Sequence, residues 1–390
     1  MSDPIERGIS RMVEQSLRTS PPDVLELLDL MCELLSADAA RFHVVDYSMR
    51  SLQHVDVSGP VGAPQQIAGT LIGRVFISGQ TQVVETHPTV VFAPLIEGST
   101  RIGVLELEFE EWDGVVPELL EPLAALFVMT WVVKSRYTDT SARARRSEPL
   151  TAAAEVQWDL LPPLTCATDA VAVSGILEPA YAMGGDSFDY AFDQQSVDFA
   201  LVDAVGHGMS AVLMSAAAIN SLRNSRRARR DLTAAYHTAD DSISAQFGHC
   251  YFVTGIIGSL DVDTGMLRWI NAGHVLPMLV RNDTYAGPLR CKPSHPMGLG
   301  GPVVEVAEQQ LQSGDRVLFY TDGITEARSS DGSFFGDDRL ADFLVRASLE
   351  HLPARETVRH LADNIIEFTE GSLRDDATML LMEYHPSSPS

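Results

Sequence analysis

Apolar positions along the first third of the chain alternate between helical and strand periodicities. Leu25, Leu28, Met31, Leu34 and Leu35 recur at near-helical spacing, which predicts a helix over residues 23–36. Residues 40–46 and 51–57 read as strands, and the glycine-bounded stretch from Gly69 to Phe76 reads as a short helix. Residues 90–95 and 102–109, joined through Gly98-Ser99, have the form of a β-hairpin. A long apolar helix is expected from Pro117 to about Tyr137.

Beyond residue 150 the pattern changes to many short strands with helices inserted in blocks. Strands are expected over 171–177, 187–192, 197–203, 251–262, 266–271, 275–281, 303–310, 317–320 and 378–384. Helices are expected over 209–223, 231–247, 338–350 and 355–370. This order predicts an α+β fold in which two packed sheets carry helices outside. Between the two regions, Arg143, Arg145 and Arg146 cluster among Ser, Thr and Pro, which reads as a structureless linker. The expected domains are therefore 20–137, a linker and coupling helix over 138–162, and a second domain over 163–385. The tail from His385 to Ser390 is expected to be disordered.

Composition narrows the function. The chain has 390 residues, 45 % of them hydrophobic, enough to bury a sizeable core without covalent staples. A net charge of −25 repels nucleic acid and suits cations or basic partners, although solubility alone accounts for most such fields. Cys32, Cys166, Cys250 and Cys291 form no CxxC pair, which argues against a disulfide scaffold or thiolate zinc site and fits a reducing cytoplasm. The N-terminus shows no signal-like run, and the apolar stretch 119–133 is too short for a bilayer, so no membrane association is expected.

The candidate chemistry lies in acidic residues at strand ends. Asp186 follows Met183-Gly184-Gly185, Asp203 precedes Gly206-His207-Gly208, Asp322 precedes Gly323, and Asp375 and Asp376 open the last strand. Singly, an Asp beside a Gly is usually a turn residue. Arithmetic places two of them together. A tight turn at Asp193-Gln194-Gln195-Ser196 gives the flanking strands a constant index sum that pairs 186 with 203. Directly opposed carboxylates repel unless a cation lies between them. An oxygen-rich set with little His and no Cys selects Mg²⁺ or Mn²⁺. The neighbouring glycines suggest that backbone approaches something closely.

Five ordered segments carry a resemblance: Met183-Gly184-Gly185-Asp186, Asp203-Ala204-Val205-Gly206-His207-Gly208, Asn271-Ala272-Gly273-His274, Thr321-Asp322-Gly323, and Asp375-Asp376-Ala377-Thr378. They resemble the SpoIIE/RsbU-type branch of the PPM (PP2C-like) serine/threonine phosphatases. That resemblance implies an α-β-β-α sandwich holding two Mn²⁺ or Mg²⁺ ions between its sheets. It implies that Asp203 bridges the ions, that Asp186 and the carbonyl of Ala204 serve one, and that Asp322 and Asp375, in preference to Asp376, serve the other. His207 is the implied general acid, with a turn histidine as the even alternative; His274 is expected to be structural or to act behind the ligands. Val205 and Ser187 depart from the usual residues but replace no ligand. No arginine lies between Arg146 and Arg223, so the phosphate-gripping arginine of eukaryotic relatives is missing.

The first region resembles a GAF domain in its Gly-Thr…Gly-Arg-Val-Phe segment and its second hairpin, which implies a sensor or dimerisation module without naming a ligand. His43 and His54 read as ordinary strand residues rather than haem ligands. Leu119, Leu123, Leu126, Thr130, Val133 and Tyr137 fit either packing on that sheet or a homodimer seam. The segment from Ala152 to Pro162 reads as a coupling helix, with Val156, Leu160 and Leu161 packed on the catalytic domain and Trp158 on either surface. The run Arg226-Arg227-Ala228-Arg229-Arg230 reads first as a solvated interhelix loop and second as a docking patch. The resemblance implies a phosphorylated anti-anti-sigma (STAS-domain) protein as substrate in a partner-switching circuit. The competing class is a catalytically silent scaffold, which the complete carboxylate set disfavours; a kinase would need Gly-rich ATP-binding segments that the chain lacks.

Overall fold

The computed structural model of the chain describes residues 4–182, 184–301, 303–371, 373 and 375–386. The expectations for Met183 and for the end of the serine-rich tail lie outside these residues. The chain divides into two units, Met1–Pro149 and Leu150–Ser390.

The first unit runs α1 (Pro4–Arg18), a 3₁₀ turn (Pro21–Glu26), α2 (Leu27–Leu35), β1 (Ala39–Val45), β2 (Ser51–Asp56), β3 (Gly59–Gln66), α3 (Leu71–Ser78), β4 (Gln82–Val84), β5 (Thr89–Glu97), β6 (Thr100–Phe109), α4 (Leu120–Lys134) and α5 (Thr140–Ala144). Its six strands form one antiparallel sheet in the order β3-β2-β1-β6-β5-β4. One face carries a core in which Phe42 meets Phe127 and Trp131 edge to face, with ring centroids 5.3 and 4.9 Å apart. The other face packs Leu52 and Val104 against Ile72, Val75 and Phe76 of α3.

Two expectations are corrected in this unit. The helix expected over 23–36 begins as a 3₁₀ turn, because Pro21 and Pro22 remove two backbone donors at its start. The linker is not structureless: α5 buries Ala144, Arg145 stacks over Tyr47 at 4.3 Å, and Ser147 donates to Asp46 Oδ2 at 3.1 Å. The apolar positions of α4 serve two surfaces: Leu123 lies in the sheet core, whereas Met129, Val133 and Tyr137 are exposed. His43 and His54 are strand residues paired across β1 and β2, and His43 Nε2 lies 2.8 Å from Glu106 Oε2.

The second unit runs α6 (Ala152–Leu160), β7 (Thr165–Ala167), β8 (Val171–Glu178), β9 (Asp186–Phe192), β10 (Ser196–Ala204), α7 (Met209–Arg227), α8 (Leu232–Phe247), β11 (Val253–Asp261), β12 (Met266–Ala272), β13 (Met278–Arg281), β14 (Thr284–Pro288), β15 (Ala307–Gln310), β16 (Asp315–Tyr320), α9 (Asp322–Thr325), α10 (Gly336–Leu349), α11 (Ala354–Phe368) and β17 (Ala377–Tyr384). Two antiparallel sheets, ordered β15-β12-β11-β10-β9 and β14-β13-β16-β17-β8-β7, pack face to face. Phe199 and Phe319 meet across the sandwich with ring centroids 4.4 Å apart. Helices α7 and α8 cover the first sheet, and α10 and α11 cover the second. This is the expected α+β, α-β-β-α arrangement.

Within it, β13 and β15 are shorter than expected, starting at Met278 and Ala307. The helix expected to end at Arg223 continues to Arg227, so half of the arginine run is helical. In α6, Leu160 is buried but Val156 is 36 % exposed, contrary to expectation, because the helix turns its Ala153, Ala154 and Gln157 side inward. Trp158 donates through Nε1 to the Ala180 carbonyl at 2.9 Å.

Candidate metal centre

The turn at Asp193–Ser196 sets the register of β9 against β10, and Asp186 lies directly opposite Asp203. Side chains two apart on a strand share a face. Asp186 therefore continues the row of Phe188 and Tyr190, and Asp203 that of Leu201 and Phe199, all of which belong to the core between the sheets. The two carboxylates are the polar end of an otherwise apolar inner face.

The second sheet brings its own carboxylates to the same end. Strand β16 leads into Thr321 and Asp322, and β17 follows Asp375 and Asp376. Thr321 Oγ1 donates to Asp186 Oδ2 at 2.6 Å, a bond across the sandwich. Asp376 is buried and accepts from the Gly184 N–H at 2.7 Å and the Asp186 N–H at 3.2 Å. Asp375, next to it, is exposed. The structure thus separates two adjacent acids. Asp376 is occupied in shaping the Gly184–Asp186 backbone, while Asp375 accepts the Asp376 N–H through Oδ1 at 3.0 Å and is otherwise exposed.

The glycines are placed by close approach. A Cβ on Gly185 would lie 2.5 Å from the carbonyl oxygen of Ala204, and one on Gly323 only 1.8 Å from that of Asp376. Both let a backbone carbonyl oxygen approach nearer than any larger residue allows. Gln157, fully buried on α6, donates Nε2 to the Asp186 carbonyl. Ser215 of α7 donates to the Gly185 carbonyl.

The electrostatics of the cluster are those of a site lacking counter-charge. Burial holds Asp186 well above the usual carboxylate range, and the charges of Asp203 and Asp376 raise it further. Burial likewise lifts Asp203 to about 7, with Asp322, Asp375 and Asp376 adding to the rise. Asp376 is pushed up to about 6 by burial, against the opposing hydrogen bonds from Asp186 and Gly184. Two described arginines of α7 are engaged elsewhere. Arg223 and Arg226 of α7 bind Asp189 at 2.7 and 2.8 Å, and Arg223 also donates to the Leu160 carbonyl. Among the described residues no three Asp, Glu, His or Cys side chains close into a ready coordination cage. The donor set nevertheless fits a hard divalent cation: oxygen atoms only, mutually repelling, and part-buried.

His207 lies on the exposed loop between Asp203 and α7. His274 stands one residue behind the cluster, bonded to Thr254, which lies opposite Asp203. Its Nε2 donates to the Tyr320 carbonyl at 3.0 Å, and its Nδ1 accepts from Thr254 Oγ1 at 3.0 Å, tying the two sheets together. Burial depresses its pKa to about 4, so it is a neutral structural clamp. Sequence reasoning missed Gln157, Thr321 and Ser215 as parts of the site. The available signals were the Gln shortly before Leu-Leu-Pro and the place of Thr321 beside Asp322 in one of the motif segments; Ser215 gave none, since its partner is distant in sequence.

The two-sheet sandwich flanked by helices is the PP2C fold. Residues 193–385 match the family model described as Stage II sporulation protein E (SpoIIE), and this stretch is a SpoIIE-family domain. The chain is 25 % identical over 245 residues to phosphoserine phosphatase RsbU of Bacillus subtilis (strain 168), covering 59 % of this chain and 68 % of RsbU. It is 29 % identical over 160 residues to Protein IcfG of Synechocystis sp., covering 37 % of this chain and only 23 % of IcfG. The solved SiaA-PP2C domain of Pseudomonas aeruginosa shares the fold, with a TM-score of 0.52 at 21 % identity, over 60 % of this chain and 94 % of that domain.

Proposed function

We propose that the chain is a metal-dependent protein serine/threonine phosphatase that removes phosphate from a phosphoprotein. The observation that carries this reading is the opposed pair Asp186 and Asp203 on the inner face of the sandwich, with the fields of Asp322, Asp375 and Asp376 converging on it. Asp203 would be shared between two Mn²⁺ or Mg²⁺ ions, Asp186 and the carbonyl of Ala204 would serve one, and Asp322 and Asp375 would serve the other. When bound, such an ion pair supplies a water of lowered pKa and neutralises charge on the phosphoryl oxygens.

The chain's own residues do the positioning. Thr321 fixes one oxygen of Asp186 and leaves the other for a cation. Asp376 holds the backbone on which Asp186 stands. His207, exposed at the mouth of the site, donates the proton that the departing serine or threonine oxygen takes up. Arg223 is committed to Asp189 and not to the phosphate, so affinity comes largely from docking a folded substrate.

The RsbU-type resemblance supports an anti-anti-sigma (STAS-domain) protein as that substrate. The first unit is a GAF-like sensor of unknown ligand that forms a homodimer; the exposed apolar row Met129, Val133 and Tyr137 on α4 supports this. The test is phosphate release from a generic aryl phosphate and from a phosphoserine-bearing STAS protein, in Mn²⁺ and in EDTA. Release of phosphate from both, lost in EDTA, is the expected result. Turnover that persists in EDTA rejects the metal, and the absence of turnover with Mn²⁺ rejects the enzyme.

A further inference from the structure

The arginine run beyond α7 has a setting that neither the metal centre nor the fold explains. Where α7 and α8 part above the outer face of β10 and β11, they leave a cavity of about 480 Å³. Its floor is apolar: Ala200, Leu222, Leu232, Ala235 and Ile257. Its rim carries Arg226, Arg227, Arg229 and Arg230, against the two carboxylates Asp193 and Asp198. Arg226 is neutralised by Asp189, and Arg230 donates to Thr238 Oγ1 at 3.0 Å. Arg227 and Arg229 are exposed and make no ion pair among the described residues.

Complementing the C-terminal dipole of α7 requires cations only in its last turn. Arg226 and Arg227 meet that need; Arg229 and Arg230 lie past the helix end. Arg229 also sits at φ +52°, a left-handed conformation that glycine or asparagine adopts at lower cost. A charge kept at such a position, at the mouth of an apolar hollow, has the form of a recognition device. The rest of the chain sharpens it. Against a net charge of −25 over the chain, the four rim arginines outnumber the two lining carboxylates, a local sign opposite to that of the whole.

We infer that this cavity docks an acidic segment of a partner protein, one aromatic or leucine side chain entering the hollow while flanking Asp or Glu carboxylates meet Arg227 and Arg229. The floor offers apolar contact and little hydrogen bonding, which suits a side chain better than a nucleobase. The site is separate from the metal centre. Strand β9 carries Asp186 at one end and Phe192, which lines the cavity, at the other, about 20 Å apart at the rise of a strand. The inference stands or falls independently of phosphatase activity.

The test uses the full chain and a fluorescein-labelled decapeptide with one phenylalanine flanked by glutamates, read by anisotropy. Saturable binding that weakens with salt is expected, together with a loss of about tenfold or more in the R227E/R229E variant. The counterpart with glutamines for glutamates, and the one with alanine for phenylalanine, should each bind more weakly. Aryl phosphate turnover should be unchanged in R227E/R229E, and the melting temperature should fall by no more than a few degrees, the cost of reversing one charge at the end of α7. Equal binding by that variant, equal binding of the glutamine peptide, tighter binding of a single-stranded oligonucleotide of the same charge, or no binding at millimolar peptide would each overturn the inference.

Discussion

Gln157 reaches from the middle of α6 to the backbone carbonyl of Asp186, the residue that faces Asp203 across the hairpin. Its Oε1 is buried without a partner among the described residues, so the side chain is held by that single donated bond and its packing. Any shift of α6 therefore acts on the backbone of a proposed metal ligand. Replacing Gln157 with Leu keeps the bulk and removes the donor, leaving a buried carbonyl unsatisfied at a cost of about 1–3 kcal/mol. Taken up in metal binding, that range raises the Mn²⁺ concentration for half-maximal turnover by about 5–150-fold. A titration of rate against Mn²⁺ measures this; an unchanged midpoint means α6 does not control the site.

The two adjacent acids at the start of β17 should fail in different ways. Asp375→Ala should keep a melting temperature close to the wild type and lose turnover, since it removes an exposed carboxylate proposed to hold a cation. Asp376→Ala should lower the melting temperature, because the N–H groups of Gly184 and Asp186 lose their acceptor. At about 2–4 °C per kcal/mol for a unit of this size, a loss of about 2 kcal/mol is readily seen by calorimetry. Asp376→Asn, which keeps one acceptor oxygen, should recover most of that stability.

Gly323→Ala should be among the most damaging small changes in the second unit. The added methyl would stand 1.8 Å from a backbone oxygen of Asp376, which has no rotamer by which to retreat. The strand end must move, and both turnover and melting temperature should fall. Gly332→Ala provides the comparison: it strains a positive φ but meets nothing within 4 Å, so it should cost stability while leaving turnover intact.

The raised carboxylates give a pH dependence whose sign depends on the cation. In the metal-free fold, Asp203 at about 7 and Asp376 at about 6 hold protons that the unfolded chain releases near 4. Their contribution to stability is complete below about 4 and is lost as pH rises through 6 to 7. A bound cation displaces those protons, so its stabilisation grows over the same interval. The gap in melting temperature between Mn²⁺ and EDTA samples should widen from pH 5.5 to 8. His274, depressed to about 4, contributes stability that fades as pH falls below about 6.5. It titrates in both samples and cancels in the difference. A gap independent of pH would mean the carboxylates are not the ligands.

Much of this was legible in the sequence because it rests on local geometry. A tight turn and a two-residue strand period were enough to set Asp186 against Asp203. The carbonyl of Ala204 against Gly185 bears out the reading that the glycines mark close approach. What was not legible depends on contacts between distant segments. Gln157 meets Asp186 only once α6 has docked, and the division of labour between Asp375 and Asp376 depends on which one the Gly184 loop covers. The arginine run reads as a solvated loop until α7 is seen to continue through Arg227 and Asp189 to take up two of its neighbouring bases. The linker, polar by composition, is ordered by Tyr47 and Asp46 about a hundred residues earlier.

The central claim is that Asp203 joins two cations in one site, and it is tested by calorimetric titration of Mn²⁺ into the chelator-stripped protein and its Asp203→Ala variant, with aryl phosphate turnover measured on the same samples. The account predicts two ions bound per wild-type chain with turnover that follows their binding. It predicts that Asp203→Ala, folded by its unchanged circular dichroism, loses the high-affinity sites and at least about a thousandfold in rate, in the range of a lost electrostatic stabiliser of the transition state. Two ions still bound by Asp203→Ala, or turnover near the wild-type rate, would contradict it.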